Sequence, residues 1–238
     1  MTLITHLKTK HFDIIMGDGM ITTRDGYYKD AQKVYNTYDE KYLIGYCGDL
    51  SYRNNEQHST PTILQGIMSK TFNNNTELQN LAIEKISDSL GCDYGNTLVI
   101  EFITSENGQS KIVKYTKSRV SLDEMMNDEQ KAINQYSDAK EVSSVPKNFL
   151  LVEAFSYLPS RYNDDENFTK AFKEACEEKN IDVNEEIDKE KLFDLLKYLY
   201  FDKIYPIVDE EKGIGGKITI IIKPLDGKPI QQKFFYPS

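Results

Sequence analysis

Thr2, the residue directly after Met1, could supply both a nucleophile and a base if it became the N-terminus. A threonine hydroxyl is a weak nucleophile until a base takes its proton, and a free α-amine on the same residue, with an ordinary pKa of about 7.7–8.0, can be that base. Methionine aminopeptidase generally removes Met before a small residue. The Met-Thr start therefore predicts a mature chain that begins at Thr2, although for Met-Thr alone a threonine that merely opens an ordinary strand is the commoner case.

Asp18 and Lys33 are the two charges that such a site would need. An amine that acts near neutral pH has its pKa and orientation set by neighbouring charges. A carboxylate can hold the amine, and a lysine can lower the pKa of the hydroxyl. Asp18 ends the second predicted strand, where a hairpin would return it beside the start of the first, and Lys33 opens the third. Each alone is typical of a surface charge, but with Thr2 they define one hypothetical site.

The elements that must position these residues follow from the apolar periodicity. Strands are predicted at 2–8, 12–17, 33–37, 42–47, 97–103, 110–116, 217–223 and over "PIQQKFF", with a hairpin turn at "SENGQ". One helix is predicted to begin near Pro61, and a second to follow a capping box of Thr76 and Gln79. Two further helices are predicted around 168–175 and 192–199, whereas "FLLVEAF" (149–155) fits either a strand or a helix.

The order of these elements is strands, two helices, strands, two helices, strands. It predicts an α+β fold, a four-layer αββα sandwich in which helix pairs cover two antiparallel sheets. We expect one domain over residues 1–238, with an insertion or long loop at 119–147 that holds a short helix from Ser121.

Composition excludes several function classes. A net charge of −9 argues against binding to nucleic acid, which needs clustered cations. No apolar run approaches a membrane span, and the N-terminus lacks a secretory h-region. Three widely spaced cysteines and three histidines without metal-ligand spacing predict neither disulfides nor a metal site. We expect a cytoplasmic protein without a cofactor.

Two stretches, "TLITHLKTKHFDIIMGDGMITT" and "QKVYNTYDEKYLIGYCGDL", resemble the opening of proteasome β-subunits and of the HslV-like N-terminal nucleophile (Ntn) hydrolases, which are threonine peptidases. The family's N-terminal threonine, Gly-Asp-Gly turn, Lys-Val strand and oxyanion glycine correspond to Thr2, Asp18, Lys33 and Gly48. Later, "GIGGKITIIIK" is similar to the family's Ser-Gly-Gly stretch at the start of a strand.

This resemblance implies a threonine-type endopeptidase of a self-compartmentalising protease. Thr2 would attack the scissile carbonyl with its own amine as base, Lys33 would lower the hydroxyl pKa, Asp18 would position both, and the Gly48 N–H would stabilise the oxyanion. Tyr46 and Cys47 would border the substrate pocket, although a free cysteine is more commonly a core residue. The implied partners are a peptide or unfolded protein, further copies of the chain in a homo-oligomeric ring, and an ATP-dependent unfoldase.

The chain also departs from the family pattern. Ile214 stands where the family has serine before Gly-Gly, the preceding family aspartate falls near Asp209 or Glu211, and Ser156 is the candidate for a further supporting serine. Three alternatives therefore stay open: a catalytically inactive ring-forming subunit, a small-molecule Ntn amidase on the same fold, and a soluble domain without activity. A closed ring would favour the protease, and an open monomer or dimer the amidase.

Overall fold

The computed structural model describes residues 3–23, 26–48, 60–89, 98–106, 109–118, 133–136, 140–142, 151–156, 165–183, 185–206 and 214–237. The strands are β1 (Leu3–Lys8), β2 (Phe12–Asp18), β3 (Ile21–Thr23), β4 (Gly26–Tyr28), β5 (Val34–Asn36), β6 (Tyr42–Gly48), β7 (Leu98–Glu106), β8 (Gln109–Ser118), β9 (Ile133–Tyr136), β10 (Lys140–Val142), β11 (Leu151–Ser156), β12 (Ile218–Pro224) and β13 (Gln231–Phe235). The helices are α1 (Thr60–Met68), α2 (Asn75–Ser89), α3 (Asp165–Lys179) and α4 (Lys189–Tyr198), and α4 continues into a π-helical segment, Leu199–Ile204.

The strands form two main antiparallel sheets. The first has the order β11-β1-β2-β12-β13, and the second has the order β10-β8-β7-β6-β5 with β9 also paired to β8. Strands β3 and β4 form a separate two-stranded hairpin. In the first sheet Ile4 pairs with Gly17 and Ile218 pairs with Asp18, so the start of β1, the end of β2 and the start of β12 meet at one end of the sheet.

Side chains alternate along these strands between different hydrophobic clusters. On β1, Leu3 and Leu7 belong to a cluster with α3, α4 and the π-helical segment, whereas Ile4 faces the second sheet and packs with Val34 and Leu43. The second sheet has its own helix-side cluster, which joins residues of β5 and β6 to α1 and α2. Each main sheet therefore buries apolar side chains on both faces.

A polar group also joins the two sheets. The buried carboxylate of Asp13 on β2 contacts the His6 ring of β1 and accepts a hydrogen bond of 2.6 Å from the Ser105 hydroxyl of β7. This network lies at the opposite end of β2 from Asp18.

Most predicted elements are present within a few residues of the expected bounds. The "SENGQ" hairpin is confirmed, since Glu106 of β7 pairs with Gln109 of β8, and the stretch around 149–155 forms strand β11. None of the helices that the structure describes is long and apolar enough to cross a membrane.

Two sequence predictions were wrong or incomplete, and two further elements were not predicted. The stretch 119–147 is not only a loop, because β9 and β10 lie within it and both pair with β8; Ser121 lies outside the described residues. The cap of α2 is formed by Asn74, whose side chain accepts a hydrogen bond from the Glu77 N–H, and not by Thr76 and Gln79. The β3–β4 hairpin and the π-helical segment were not predicted.

Candidate active site

The ion pair between Asp18 and Lys33 is the centre of the candidate site. Lys33 Nζ lies 3.0 Å from both Asp18 carboxylate oxygens and also donates to the Met20 carbonyl. Asp18 is 0 % exposed and Lys33 is 2 % exposed. A surface pair gains little because water screens both charges, whereas two charges removed from water must hold one another in a defined geometry.

Backbone N–H groups complete the surroundings of the Asp18 carboxylate. Leu3 N–H donates to Asp18 Oδ1 over 2.7 Å, and Met20 and Gly215 N–H donate to Oδ2 over 3.1 and 3.3 Å. The donors come from β1, from the turn after β2, and from the residues before β12. Asp18 therefore ties together three parts of the chain, one of which is the start of β1.

Glycines permit this close approach. Gly216 has φ +72°, and a Cβ there would lie 2.4 Å from the Lys29 carbonyl oxygen, so a side chain cannot be accommodated without a backbone shift. A Cβ at Gly17 would lie 2.9 Å from Ile4 Cδ1 and 3.0 Å from Val34 Cγ1. Gly17 therefore allows Ile4 of β1 and Val34 of β5 to lie close to the end of β2, and Gly216 allows the residues before β12 to lie close to Lys29, after β4.

Strands β5 and β6 position Lys33. The Tyr46 N–H donates to the Lys33 carbonyl over 3.1 Å, and Val34 pairs with Gly45. The Tyr46 side chain is 2 % exposed and packs in the cluster beneath α1 and α2, and its place beside a substrate pocket stays a prediction. Strand alternation directs Ile44 and Tyr46 to the helix side, while Leu43 faces the first sheet.

Other predicted site residues are described in part or not at all. Thr2, Asp209 and Glu211 lie outside the described residues. For three others the structure describes the backbone alone: Cys47 pairs with Glu101, Gly48 ends β6 opposite Ile100, and Ser156 ends β11 opposite Leu3. Ser156 therefore lies, by its backbone, at the same end of the first sheet as Leu3.

Two tyrosines that the sequence analysis did not select lie on the helix side of this end. The fully buried Tyr200 hydroxyl lies 2.9 Å from Thr5 Oγ1 of β1. The Tyr205 ring packs against Tyr200 with centroids 5.8 Å apart, and its shielded hydroxyl oxygen has no hydrogen-bond partner among the described residues. Burial raises the pKa of both phenols, and the negative charge of Asp18 raises it further.

Ile214 is buried in the same helix-side cluster as Tyr200. The chain thus has an apolar side chain at the position where the resemblance implies a serine. The hydroxyls on this side of the sheet belong to Tyr200 of the π-helical segment and to Tyr205, the residue after it. A tyrosine within an apolar helical pattern is typical of a buried core residue, so periodicity alone did not single out Tyr200 and Tyr205.

The described residues around Asp18 offer charges and hydrogen-bonding groups to whatever lies beside them. Among the described residues there is no group of three or more His, Cys, Asp or Glu side chains that could hold a metal ion. The residue before Leu3 is joined by one peptide bond to a nitrogen that Asp18 holds. A buried lysine and carboxylate beside this point can set the pKa of an amine and a hydroxyl there.

Comparisons with known proteins show similarity of fold. No protein-family model matches the chain, and no curated protein sequence matches it. Among solved structures, a Gly-1 mutant of Anbu from Hyphomicrobium sp. strain MC1 is similar, with a TM-score of 0.51 and 10 % identity over 99 % of this chain and 87 % of that chain. Anbu has an Ntn-like fold. At this identity the similarity shows a shared mixed α+β fold with two antiparallel sheets, and activity does not follow from it.

Proposed function

We propose that the chain is an Ntn hydrolase of the HslV-like, proteasome-related kind that cleaves peptide bonds with Thr2 as nucleophile. The observation that carries this proposal is the buried Lys33–Asp18 pair whose carboxylate also binds the Leu3 N–H, directly after Thr2. An ordinary surface ion pair, in contrast, stays in contact with water and needs no hydrogen bond from the backbone at the start of β1.

Each group has a defined role in the proposed reaction. Thr2 Oγ attacks the scissile carbonyl carbon while its proton passes to the Thr2 α-amine, and the amine then protonates the leaving nitrogen. The positive charge of Lys33 stabilises the developing alkoxide, and Asp18 holds Lys33 in place. The Gly48 N–H, at the end of β6, is the proposed oxyanion donor, a contact worth about 2.7–4 kcal/mol in other hydrolases. Water hydrolyses the resulting ester and frees Thr2.

The same proposal includes the four-layer αββα arrangement. Its support is the cluster of Ile4, Ile15, Val34, Leu43 and Ile221 between the two sheets, together with separate clusters beneath the two helix pairs. In this arrangement the site lies at the end of the first sheet where β1 starts. From the family resemblance alone we also propose that the chain forms a closed homo-oligomeric ring in the cytoplasm. An ATP-dependent unfoldase would deliver unfolded protein substrates to this ring.

A non-catalytic ring subunit is the second candidate, because buried Ile214 replaces the serine that the resemblance implies. Turnover of fluorogenic peptides by wild type, Thr2→Ala and Thr2→Ser separates the two. The proposal predicts hydrolysis by wild type, none by Thr2→Ala, and partial hydrolysis by Thr2→Ser, which keeps a hydroxyl. Equal turnover by Thr2→Ala would refute the proposal. A ring seen by sedimentation but without turnover in any of the three proteins would favour the non-catalytic subunit.

A further inference from the structure

Strand β13 lies at the edge of the first sheet. Among the described residues it pairs with β12 alone, so the backbone groups on its outer side have no partner strand there. Proteins commonly shield such an edge with a charge, because an edge strand pairs readily with a further strand. The charged side chain of β13, Lys233, is instead paired with Glu190 of α4. Within the described part of the chain, the edge is therefore open to another strand.

Two exposed aromatic side chains lie along this edge. Phe234 is 45 % exposed and Tyr236 is 60 % exposed. Lys217 Nζ lies 4.9 Å from the centre of the Phe234 ring and 2.9 Å from Asp30, which accepts a hydrogen bond of 3.1 Å from the Tyr236 hydroxyl. Both rings are thus held around one ion pair, so that a partner would meet an ordered apolar surface and little side-chain entropy would be lost.

Helix α4 runs alongside β13 in the same direction. Near the start of the helix Glu190 pairs with Lys233, and near its end Lys197 Nζ lies 5.8 Å from the centre of the Phe235 ring. The Phe193 ring lies between these points, with its centre 4.7 Å from Lys233 Nζ and 6.1 Å from the centre of the Phe235 ring. The flank of α4 beside the edge therefore has a negative charge at one end and a positive charge at the other.

We propose that β13 pairs antiparallel with β13 of a second copy of the chain, about a two-fold axis at Phe234. A two-fold contact brings the same surface of both copies together, so this register places Phe234 opposite Phe234 of the second copy. Lys233 then lies opposite Phe235 of the second copy, and Gln232 lies opposite Tyr236. A register centred on Lys233 would place two lysines opposite one another, which is unfavourable.

The charges of α4 are complementary about the same axis. Because Phe193 contacts the strand residues on either side of Phe234, an axis at Phe234 passes close to the middle of the flank of α4. The two copies of α4 then run antiparallel, and Glu190 of each helix lies toward Lys197 of the other. One axis therefore satisfies both the strand register and the helix charges.

This contact does not depend on the proposed peptidase activity. It joins copies of the chain two by two, either as free dimers or between two opposed rings. An extended polypeptide could bind the same backbone groups. It would not, however, present a helix with charges opposite Glu190 and Lys197, so charge complementarity favours a second copy.

Disulfide trapping tests the register. At the proposed axis the Cβ atoms of the two residues at position 234 would lie about 4.5–5.5 Å apart, close enough for a disulfide. Phe234→Cys should therefore form a covalent dimer on mild oxidation, detected by non-reducing electrophoresis. Gln231→Cys is the matched control on the same strand, since the register separates its two copies by about 20 Å. It should give no more dimer than the wild type, which has three native cysteines.

Sedimentation equilibrium tests the helix charges. Lys197→Glu would place like charges on both sides of the axis, so the Kd of the pairing should rise by about tenfold at low salt. Lys191→Glu is the matched control, because it makes the same change of net charge at an exposed position about 100° around α4 from Glu190. Its Kd should equal that of the wild type once the shared change in net charge is allowed for.

A chain that stays monomeric at its highest soluble concentration, equal cross-linking of the two cysteine variants, or an equal Kd for the two glutamate variants would overturn the inference. Binding of labelled casein, an unfolded protein, to a monomeric chain, lost in Phe234→Lys, would assign the edge to extended polypeptide and also overturn it. A covalent Phe234→Cys dimer of a chain that cleaves no peptide would support the inference and refute the proposed peptidase activity. Peptide cleavage by a chain that forms no such dimer would do the reverse.

Discussion

Removal of the Lys33 side chain tests whether the Asp18–Lys33 pair is a single buried unit. In Lys33→Ala the Asp18 carboxylate, which is 0 % exposed, loses the lysine that pairs with it but keeps the N–H donors of Leu3, Met20 and Gly215. Truncation of one partner of a buried pair costs about 3–5 kcal/mol. Because the backbone donors remain, we expect the lower end, about 3 kcal/mol in the free energy of unfolding.

Urea unfolding followed by circular dichroism measures this change. With a urea dependence of about 2 kcal/mol per molar, the midpoint of Lys33→Ala should fall by about 1.5 M. Peptide turnover should fall by about a hundredfold or more, since Lys33 is proposed to act in the reaction itself.

The matched control is Lys228→Ala. Lys228 makes a shorter ion pair with Asp226, at 2.6 Å, but the two side chains are 60 % and 52 % exposed. We expect no measurable shift of the urea midpoint and unchanged turnover, because water screens this pair. Equal midpoints for the two variants would refute the argument that burial, and not distance, decides the strength of the Asp18–Lys33 pair.

Three further predictions concern other parts of the fold. Ser105→Ala removes the 2.6 Å hydrogen bond to buried Asp13 and should lower the free energy of unfolding, measured in urea, by about 1–3 kcal/mol. Turnover should not change, because Asp13 and Asp18 are about 17 Å apart along β2, and a loss of turnover in folded protein would contradict this. Gly216→Ala, whose Cβ would lie 2.4 Å from a carbonyl oxygen, should destabilise the chain more than Gly227→Ala, which has a similar φ of +79° and nothing within 4 Å; equal melting temperatures would show that the contact relaxes freely. Burial raises the pKa of the Cys176 thiol to about 12, so between about pH 9 and 12 the unfolded chain loses this proton while the folded chain keeps it. The free energy of unfolding should therefore decline over that range in wild type but not in Cys176→Ala, and parallel plots of this free energy against pH would contradict the argument.

The pairing of Asp18 with Lys33 illustrates what the sequence allowed. An acidic residue at the end of the second strand and a lysine before the third are brought together by a simple hairpin and a neighbouring strand, and the structure places them 3.0 Å apart. The Leu3 and Gly215 N–H groups lie near Asp18 because β1, β2 and β12 are neighbours in the first sheet, and the convergence of all three donors on one carboxylate is a tertiary property.

Other features had no local signal. Strands β9 and β10 lie in a polar stretch without alternation, and they form because β8 offers backbone hydrogen-bonding groups to both. The helix-side position of Tyr46 follows from the register of β5 with β6, in which Val34 pairs with Gly45, and this register exists only in the folded sheet. Tyr205 could not be found by periodicity, because its distinguishing property is an unpaired hydroxyl that exists only after folding.

Covalent capture identifies the nucleophile of the proposed reaction. The purified chain is treated with an electrophilic peptide vinyl sulfone, and intact mass and peptide mapping then locate the adduct. We expect a chain without Met1 that carries one adduct on Thr2, and no adduct in Thr2→Ala. A chain that retains Met1, or one that is labelled equally in wild type and Thr2→Ala, would contradict it.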